Sequence, residues 1–167
     1  VKYVLEKAEV KKDLPEIIDA SYKIAGTGRK GVVVVDLPKD VLEAEVTQDD
    51  MNRVLKLEGY KPTTNANIKQ IKKAIKIIQE SKKPVILAGG GVILSDAANE
   101  LFEFAKLSNI AVATSLMGKG SIPEDHELSL GLLGMHGLES TNNAVTDCDC
   151  LIAIGCRFSD RTTGKVS

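Results

Sequence analysis

The sequence is poor in aromatic residues and has almost no net charge, and both features limit the partners it can have. Aromatic side chains make up 4% of the 167 residues, and tryptophan is absent. Single-stranded nucleic acids are commonly held by bases stacked on aromatic rings. The formal net charge is −1, so no strongly basic surface is expected to attract nucleic acid or an anionic membrane. We therefore expect neither as a partner.

Long apolar runs and paired cysteines are also missing. No apolar run approaches the roughly 20 residues of a membrane-spanning helix, and charged side chains interrupt residues 1–12, so no signal peptide is expected. The three cysteines, Cys148, Cys150 and Cys156, fit no disulfide framework and indicate a reducing compartment such as the cytoplasm. Their spacing is not that of a zinc site, so we expect no metal and half-buried or buried thiols. Because the chain starts at Val1 without methionine, we expect a segment of a longer protein.

Helix and strand patterns alternate along the chain. Isoleucines three and four residues apart predict an amphipathic helix over residues 67–81, with a lysine-rich solvated face. Short apolar runs predict strands at 32–35, 85–88, 110–113 and 151–154, and the first of these is expected to be buried on both faces. Further helices are predicted to start at Asp13, as a capping box with Glu16, and to cover 96–108 and 137–147. This alternation predicts an α/β fold with a parallel sheet flanked by helices.

A connector separates two parts of the chain. Residues 37–66 contain prolines, Gly59 and several polar residues, with a short helical pattern at 48–57. Such composition is typical of a boundary between domains, which we place near residue 60. The preceding part is then a helix and a strand of one α/β domain, and the following part is a second domain.

Three glycine-rich segments follow the predicted strands of the second domain. They are Gly89-Gly90-Gly91, residues 114–137 and residues 155–161. Ligands of open parallel sheets bind outside the carboxyl ends of the strands, so the three segments should converge on one edge. Glycine lets backbone amides approach a phosphate, and helix N-termini add partial positive charge. We therefore expect an anionic, flat and extended ligand of the dinucleotide type.

Several residues of these segments allow two interpretations. Leu94 replaces the last glycine of a GxGxxG pattern, and Thr114 replaces the acidic ribose-binding residue, so a nicotinamide site is not expected. The triplet Gly89-Gly90-Gly91 fits either a structural turn or a ligand cradle. Arg157 and Arg161 can bind a phosphate or carboxylate, or form a salt bridge with Asp160. His136 can be structural or functional. No nucleophile–base pair or carboxylate pair is evident.

Longer strings of the sequence resemble the acetolactate synthase (acetohydroxyacid synthase) family of thiamine-diphosphate enzymes. The string from Gly28-Arg29-Lys30-Gly31 to Val41 resembles the end of the family's pyrimidine-binding domain. Ser81-Lys82-Lys83-Pro84-Val85 with the glycine triplet resembles the start of its central domain. The strings Ser115 to Gly118, Leu133-Gly134-Met135-His136-Gly137 and Gly155 to Gly164 resemble its flavin and substrate loops.

The resemblance implies three regions and a set of site residues. Residues 1–40 would end the pyrimidine-binding domain, 41–62 would be a linker, and 63–167 would be an incomplete Rossmann-like central domain that holds FAD. Arg161 would meet the carboxylate of the second 2-oxoacid substrate, and Asp160 beside it would be the other substrate-binding residue. The expected FAD-contacting residues are Gly89, Gly90, Gly91, Ser115, Leu116, Leu133, Gly134, Met135, His136, Gly155, Cys156, Arg157, Phe158 and Ser159.

The resemblance also implies the activity of a complete enzyme. It would join a hydroxyethyl group, formed from pyruvate on thiamine diphosphate, to a second 2-oxoacid in branched-chain amino-acid biosynthesis. Thiamine diphosphate and Mg²⁺ sites would lie outside this segment, which alone would be inactive. The enzyme would be a homodimer or larger, with a regulatory small subunit. The alternatives are a related thiamine enzyme, such as glyoxylate carboligase or pyruvate oxidase, and a non-catalytic nucleotide-binding module.

Four positions depart from the family pattern. Lys30 and Val32 stand where the family has prolines, which affects only the rigidity of a turn. A linker arginine that contacts FAD in the family is replaced near Thr63, and Ser159 stands where aspartate is commoner.

Overall fold

A computed structural model describes residues 3–4, 13–45, 47–51, 59–63 and 65–164. The chain divides into two compact units, Val1–Ala66 and Asn67–Ser167. Within the described ranges, no helix has the length and apolar character needed to cross a membrane. The linker boundaries at residues 41 and 62 stay a prediction.

The described residues of the first unit form a small parallel sheet and three helices. In chain order its elements are β1 (Tyr3–Val4), α1 (Leu14–Gly26), β2 (Val33–Val34), α2 (Lys39–Leu42) and α3 (Gln48–Met51). Strands β1 and β2 pair in parallel, and α1 buries Ala20 and Ile24.

Two predictions for this unit are wrong. The valine run forms a strand of only two residues, and Val34 is 49% exposed rather than buried on both faces. The physical reason is that β1 is the only strand paired with β2 in the part of the chain that is described. The side chain of Asp13 makes no capping hydrogen bond to α1, since its backbone is helical instead of extended. Of the helix predicted at 48–57, α3 covers the start, and residues 52–58 lie outside the described residues.

The second unit is a four-stranded parallel sheet with helices on its faces. Its elements are α4 (Ile68–Glu80), β3 (Pro84–Ala88), α5 (Gly90–Leu94), α6 (Ala98–Ser108), β4 (Val112–Thr114), a 3₁₀ turn (Leu116–Gly118), β5 (Ser129–Leu132), α7 (Glu139–Thr146), β6 (Cys150–Ile154) and α8 (Asp160–Thr163). The strand order is β5-β4-β3-β6, and every neighbouring pair is parallel. The predicted fold class is therefore confirmed.

The core lies on both faces of the central strand β3. Ile86 packs with α6 through Leu101 and Ala105 on one face. Leu87, which is 1% exposed, packs on the other face in a cluster that includes Val145 of α7. A strand buried on both faces needs a continuous apolar sequence, which is what residues 85–88 supply.

The helix α4 is present as predicted, but its isoleucine face is not buried. Asn67 caps the helix, because its Oδ1 accepts hydrogen bonds from the amides of Lys69 (3.0 Å) and Gln70 (3.3 Å). Ile78 packs against the core, whereas Ile71 is 41% exposed. No residue of α4 is buried within the described structure. The helix therefore contacts the core through Ile78, near its carboxyl end, and not along the whole isoleucine face.

The structure contains a strand, β5, in the second glycine-rich segment, where the sequence predicts none. Strand β5 pairs with β4, and the register shifts between Val112 and Ala113. Gly131 inside β5 has φ +82°, which is unusual in a strand and weakens its signal in the sequence. The three cysteines are free and half-buried, as expected.

Asp149 ties two strands together at the amino edge of the sheet. Its carboxylate accepts hydrogen bonds from the backbone amides of Lys82 (2.7 Å) and Lys83 (2.8 Å), just before β3, while Asp149 itself precedes β6. These two hydrogen bonds, chiefly the one from Lys82, lower the pKa of the Asp149 carboxyl below its ordinary value of 3.8. Hydrogen bonds favour the charged form of the group that accepts them.

We expect the variant Asp149→Asn to have a lower melting temperature than the wild type at neutral pH, since an amide offers one acceptor oxygen instead of two. The pKa of Asp149 is lowered by folding, so its stabilisation is complete above pH 3.8 and is lost as the pH falls through the lower folded-state value. Thermal unfolding followed by circular dichroism over this pH range measures the difference.

Asp125 is exposed and lies in a loop. The variant Asp125→Asn is therefore the matched control, and it should have the melting temperature of the wild type. A melting difference for Asp149→Asn that stays constant through the acidic range would contradict this account of the carboxylate.

Candidate functional site

The three glycine-rich segments lie together at the carboxyl edge of the sheet. The Gly91 amide donates to the Gly155 carbonyl, and the Ser115 amide donates to the carbonyl of Ala88 at the end of β3, both over 2.9 Å. The Met135 amide donates to the Arg161 carbonyl over 3.1 Å. Main-chain hydrogen bonds thus join all three segments at one edge, as the strand order requires.

The glycines of this edge are packed against other backbone. A Cβ on Gly91 would lie 2.7 Å from Cα of Gly155, and one on Gly155 would lie 2.6 Å from the amide nitrogen of Val92. A Cβ on Gly89 or Gly118 would overlap a neighbouring carbonyl group. Since real Cβ atoms do not come this close, the structural interpretation accounts for these glycines. Gly90 and Gly91 also begin helix α5 and do not remain in a loop; contact of the triplet with a ligand stays a prediction.

The side chains around this packed backbone are largely apolar and exposed. Leu116 is 70% exposed, Met117 72%, Met135 58% and Phe158 49%. Large apolar side chains gathered on loops at one edge are typical of a surface that another group covers.

The remaining predicted residues of this edge fall into two sets. Gly155, Arg157 and His136 are exposed, whereas Gly90, Leu133, Gly134, Cys156 and Ser159 are half-buried and Ser115 is buried. The thiol-bearing Cys156 packs against the cluster around Leu87.

Phe158 has an unusual backbone conformation. Its φ is +52°, in the left-handed region that bulky side chains seldom adopt. Such a conformation costs of the order of 1 kcal/mol or more and persists only where the surroundings impose it. The segment after β6 therefore holds Phe158 in a defined position, and residues of this kind cluster at binding loops.

The two arginines of the third segment differ in their partners. The Nε of Arg161 lies 3.8 Å from Oδ2 of Asp160, so the salt-bridge interpretation applies to this pair. Both side chains are largely exposed, and such a pair contributes little stability. Arg157 forms no salt bridge with any carboxylate of the described residues, which leaves its guanidinium able to bind an anion.

A residue that the sequence did not single out supports the second segment. The side chain of Asn142 in α7 accepts a hydrogen bond from the Gly134 amide (2.9 Å) and donates one to the Gly134 carbonyl (3.2 Å). Nothing in the sequence pattern separates Asn142 from Asn143 beside it, so the role could be found only from coordinates.

A groove of about 460 Å³ runs beside these segments. It is lined by apolar, hydroxyl and amide side chains of the sheet, the loops and α7, including Leu133, Met135, Asn142, Phe158 and Thr162. A second groove, between α6 and residues 119–124, contains none of the predicted site residues. Among the described residues, no group of histidine, cysteine, aspartate and glutamate side chains could hold a metal ion.

Comparison with known proteins gives a consistent result. The chain is 54% identical over 156 residues to the probable acetolactate synthase large subunit of Methanocaldococcus jannaschii, a match that covers 92% of the chain and 26% of that protein. It is 44% identical to the acetolactate synthase of Mycobacterium bovis over 92% of the chain and 25% of the relative. Against the acetolactate synthase large subunit of Haemophilus influenzae it is 39% identical over 98% of the chain and 28% of the relative.

The chain thus spans about a quarter of the length of these relatives. The resemblance to acetolactate synthase noted from the motifs is confirmed by these matches. The family described as thiamine pyrophosphate enzyme, central domain, matches residues 71–167, which include strands β3 to β6 of the second unit. The chain therefore belongs to the thiamine pyrophosphate enzyme family and carries the family's central domain.

Proposed function

We propose that the chain is the flavin-holding part of an acetolactate synthase catalytic subunit. The complete enzyme joins a hydroxyethyl group derived from pyruvate to a second 2-oxoacid, a reaction of isoleucine and valine biosynthesis in the cytoplasm. It works as a homodimer or larger assembly, with a regulatory small subunit as partner. Support comes from the similarity over nearly the whole chain to relatives named acetolactate synthase.

The proposed division of the chain follows the family. Residues 1–40 end the pyrimidine-binding domain, residues 41–62 form the linker, and residues 63–167 belong to the central domain. Thiamine diphosphate stabilises the carbanion of the reaction when it is bound. The residues for it and for Mg²⁺ are proposed to lie in other parts of the subunit.

One observation carries the flavin proposal: the three loops meet at the carboxyl edge of a parallel sheet. FAD has flat, largely apolar rings and an anionic diphosphate, so it needs apolar surface and hydrogen-bond donors side by side. Leu116, Met117, Met135 and Phe158 offer the apolar surface, and the guanidinium of Arg157 offers donors. The residue types at this edge therefore fit FAD, and open α/β sheets bind their ligands there.

Arg161 and Asp160 are proposed to receive the second substrate. A guanidinium pairs with a carboxylate through two parallel hydrogen bonds, and every 2-oxoacid has a carboxylate. The Arg161 side chain is 72% exposed, and its contact with Asp160 is 3.8 Å long. Because this surface pair is weak, an incoming carboxylate competes with Asp160 at small cost.

We expect the variant Arg157→Ala to weaken FAD binding by the complete subunit about 10- to 100-fold, since charge-assisted hydrogen bonds contribute about 1.5–3 kcal/mol. Titration of the flavin-free subunit with FAD, followed by flavin fluorescence, measures the dissociation constant. The matched control is Lys83→Ala, which removes one positive charge at the opposite edge of the same sheet and leaves its backbone hydrogen bond to Asp149 in place. Equal FAD affinity of Arg157→Ala and Lys83→Ala would show that Arg157 does not belong to the site. A wild-type subunit that binds no FAD would contradict the proposed function.

For the variant Arg161→Ala we expect the KM of the second 2-oxoacid to rise about 10- to 100-fold with FAD retained, because only the carboxylate partner is lost. Steady-state kinetics with a varied acceptor and a flavin absorbance spectrum test both parts. Unchanged acceptor kinetics would remove Arg161 from this role. Loss of flavin in this variant would show instead that the arginine supports the cofactor loops.

A further inference from the structure

Asn142 holds the second glycine-rich segment through both atoms of its amide. Its Oδ1 accepts from the Gly134 amide over 2.9 Å, and its Nδ2 donates to the Gly134 carbonyl over 3.2 Å. A side-chain amide that pairs with both polar groups of one residue imitates a β-ladder and fixes that residue's main chain in two directions. Asn142 is half-buried and lines the groove of about 460 Å³.

Helix α7 is a firm base for this amide, because it is fastened to β5 next to Asn142. Thr141 is fully buried, at 0% exposure, and its hydroxyl donates to the Leu130 carbonyl. The Leu138 amide, just before the helix, donates to the Leu132 carbonyl over 3.0 Å. The position of Asn142 relative to the sheet is thus determined by neighbours on the same helix.

Gly134 in turn contacts the main chain that bears Arg161. With φ +108°, Gly134 has a conformation open mainly to glycine, and a Cβ on it would overlap the Arg161 carbonyl and lie 3.1 Å from Cα of Thr162. The next amide, that of Met135, donates to the same Arg161 carbonyl over 3.1 Å. A shift of Gly134 must therefore move either Met135 or the backbone of Arg161.

We propose that Asn142 is a positioning residue that fixes the cofactor segment Leu133–His136 and the acceptor arginine, Arg161, relative to each other. This inference rests on the proposed function, which gives the two groups their ligands. Asn142 lines the groove beside these loops, and both polar atoms of its amide are bonded to Gly134. It acts through Gly134, which precedes Met135 in the chain and packs against the backbone of Arg161.

The chemistry of the amide makes asparagine necessary at this position. Aspartate has nearly the same shape but no donor, and its charge faces the Gly134 carbonyl, so the pairing loses one hydrogen bond and gains a repulsion. Alanine loses both hydrogen bonds. Asn143, the next residue of α7, is exposed, and its side chain forms no hydrogen bond with the described residues, so it provides a matched control on the same helix.

The test compares Asn142→Asp, Asn142→Ala and Asn143→Ala in the complete catalytic subunit. For both Asn142 variants we expect the FAD dissociation constant and the acceptor KM to rise together by about 10-fold, with kcat changed less than KM, because positioning hydrogen bonds are lost while the reacting groups remain. The variant Asn143→Ala should match the wild type. Acceptor KM is measured with saturating FAD and well below the melting temperature, so that a merely less stable protein would leave it unchanged.

The possible results separate the inference from the function on which it rests. If the wild type binds FAD and Asn142→Asp matches Asn143→Ala in both constants, the positioning role is overturned and the proposed function stands. If the wild type binds no FAD and Arg161→Ala leaves the acceptor KM unchanged, both are overturned. Should Asn142→Ala fail to fold, the nearly isosteric Asn142→Asp still decides, together with faster amide hydrogen exchange at Met135, whose hydrogen bond to the Arg161 carbonyl depends on the position of Gly134.

Discussion

The second unit depends on close contact between main chains at the carboxyl edge of its sheet. The positions of Gly89, Gly91, Gly118 and Gly155 leave no room for a Cβ, and the Gly91–Gly155 hydrogen bond closes the contact. Side chains at these positions would force the loops apart, and the loops could no longer present their exposed residues as one surface. Backbone packing of this kind fixes geometry without using a side chain, so the exposed side chains of the loops remain available to a ligand.

This constraint explains why the exposed residues of the edge are so apolar. Leu116 and Met117 lie in a 3₁₀ turn whose last residue, Gly118, is buried against the end of β3. Phe158 follows Gly155, and both have positive φ values. The loops are thus rigid at their glycines and exposed at the neighbouring side chains, which is the arrangement expected of a preorganised binding surface.

The sequence predicts most of the parallel sheet, but it does not predict the helix caps or the exposure of β2. Strand β3 and helix α4 follow from periodicity, and the convergence of the three segments follows from the rule that parallel strands end at one edge. The cap of α4 by Asn67 and the missing cap at Asp13 depend on local backbone angles, which composition does not specify. Strand β5 is short and contains Gly131, so its pattern resembles a loop. The exposure of β2 depends on how many strands lie beside it, and no local pattern records that number.

The Asn142–Gly134 pairing lies beyond sequence reasoning for a different reason. The pairing is a contact across eight residues of chain between a helix and a loop, and no local sequence pattern specifies such a contact. The motif strings identified the loop itself, including Met135 and His136, but not the residue that holds it. Binding loops can thus be recognised from their own residues, whereas the groups that orient them require coordinates.

The tie made by Asp149 has a practical consequence, because it lies at the end of the sheet opposite the glycine contacts. Strands β3 and β6 are fastened at one end by a carboxylate and at the other by main-chain packing. Changes that strengthen the amino end can raise thermal tolerance while leaving the ligand-facing end untouched. Substitutions that stabilise a protein commonly impair activity where they stiffen or reshape a working site. In this fold the two demands fall on opposite ends of the same strands, so protein engineers can address durability and specificity separately.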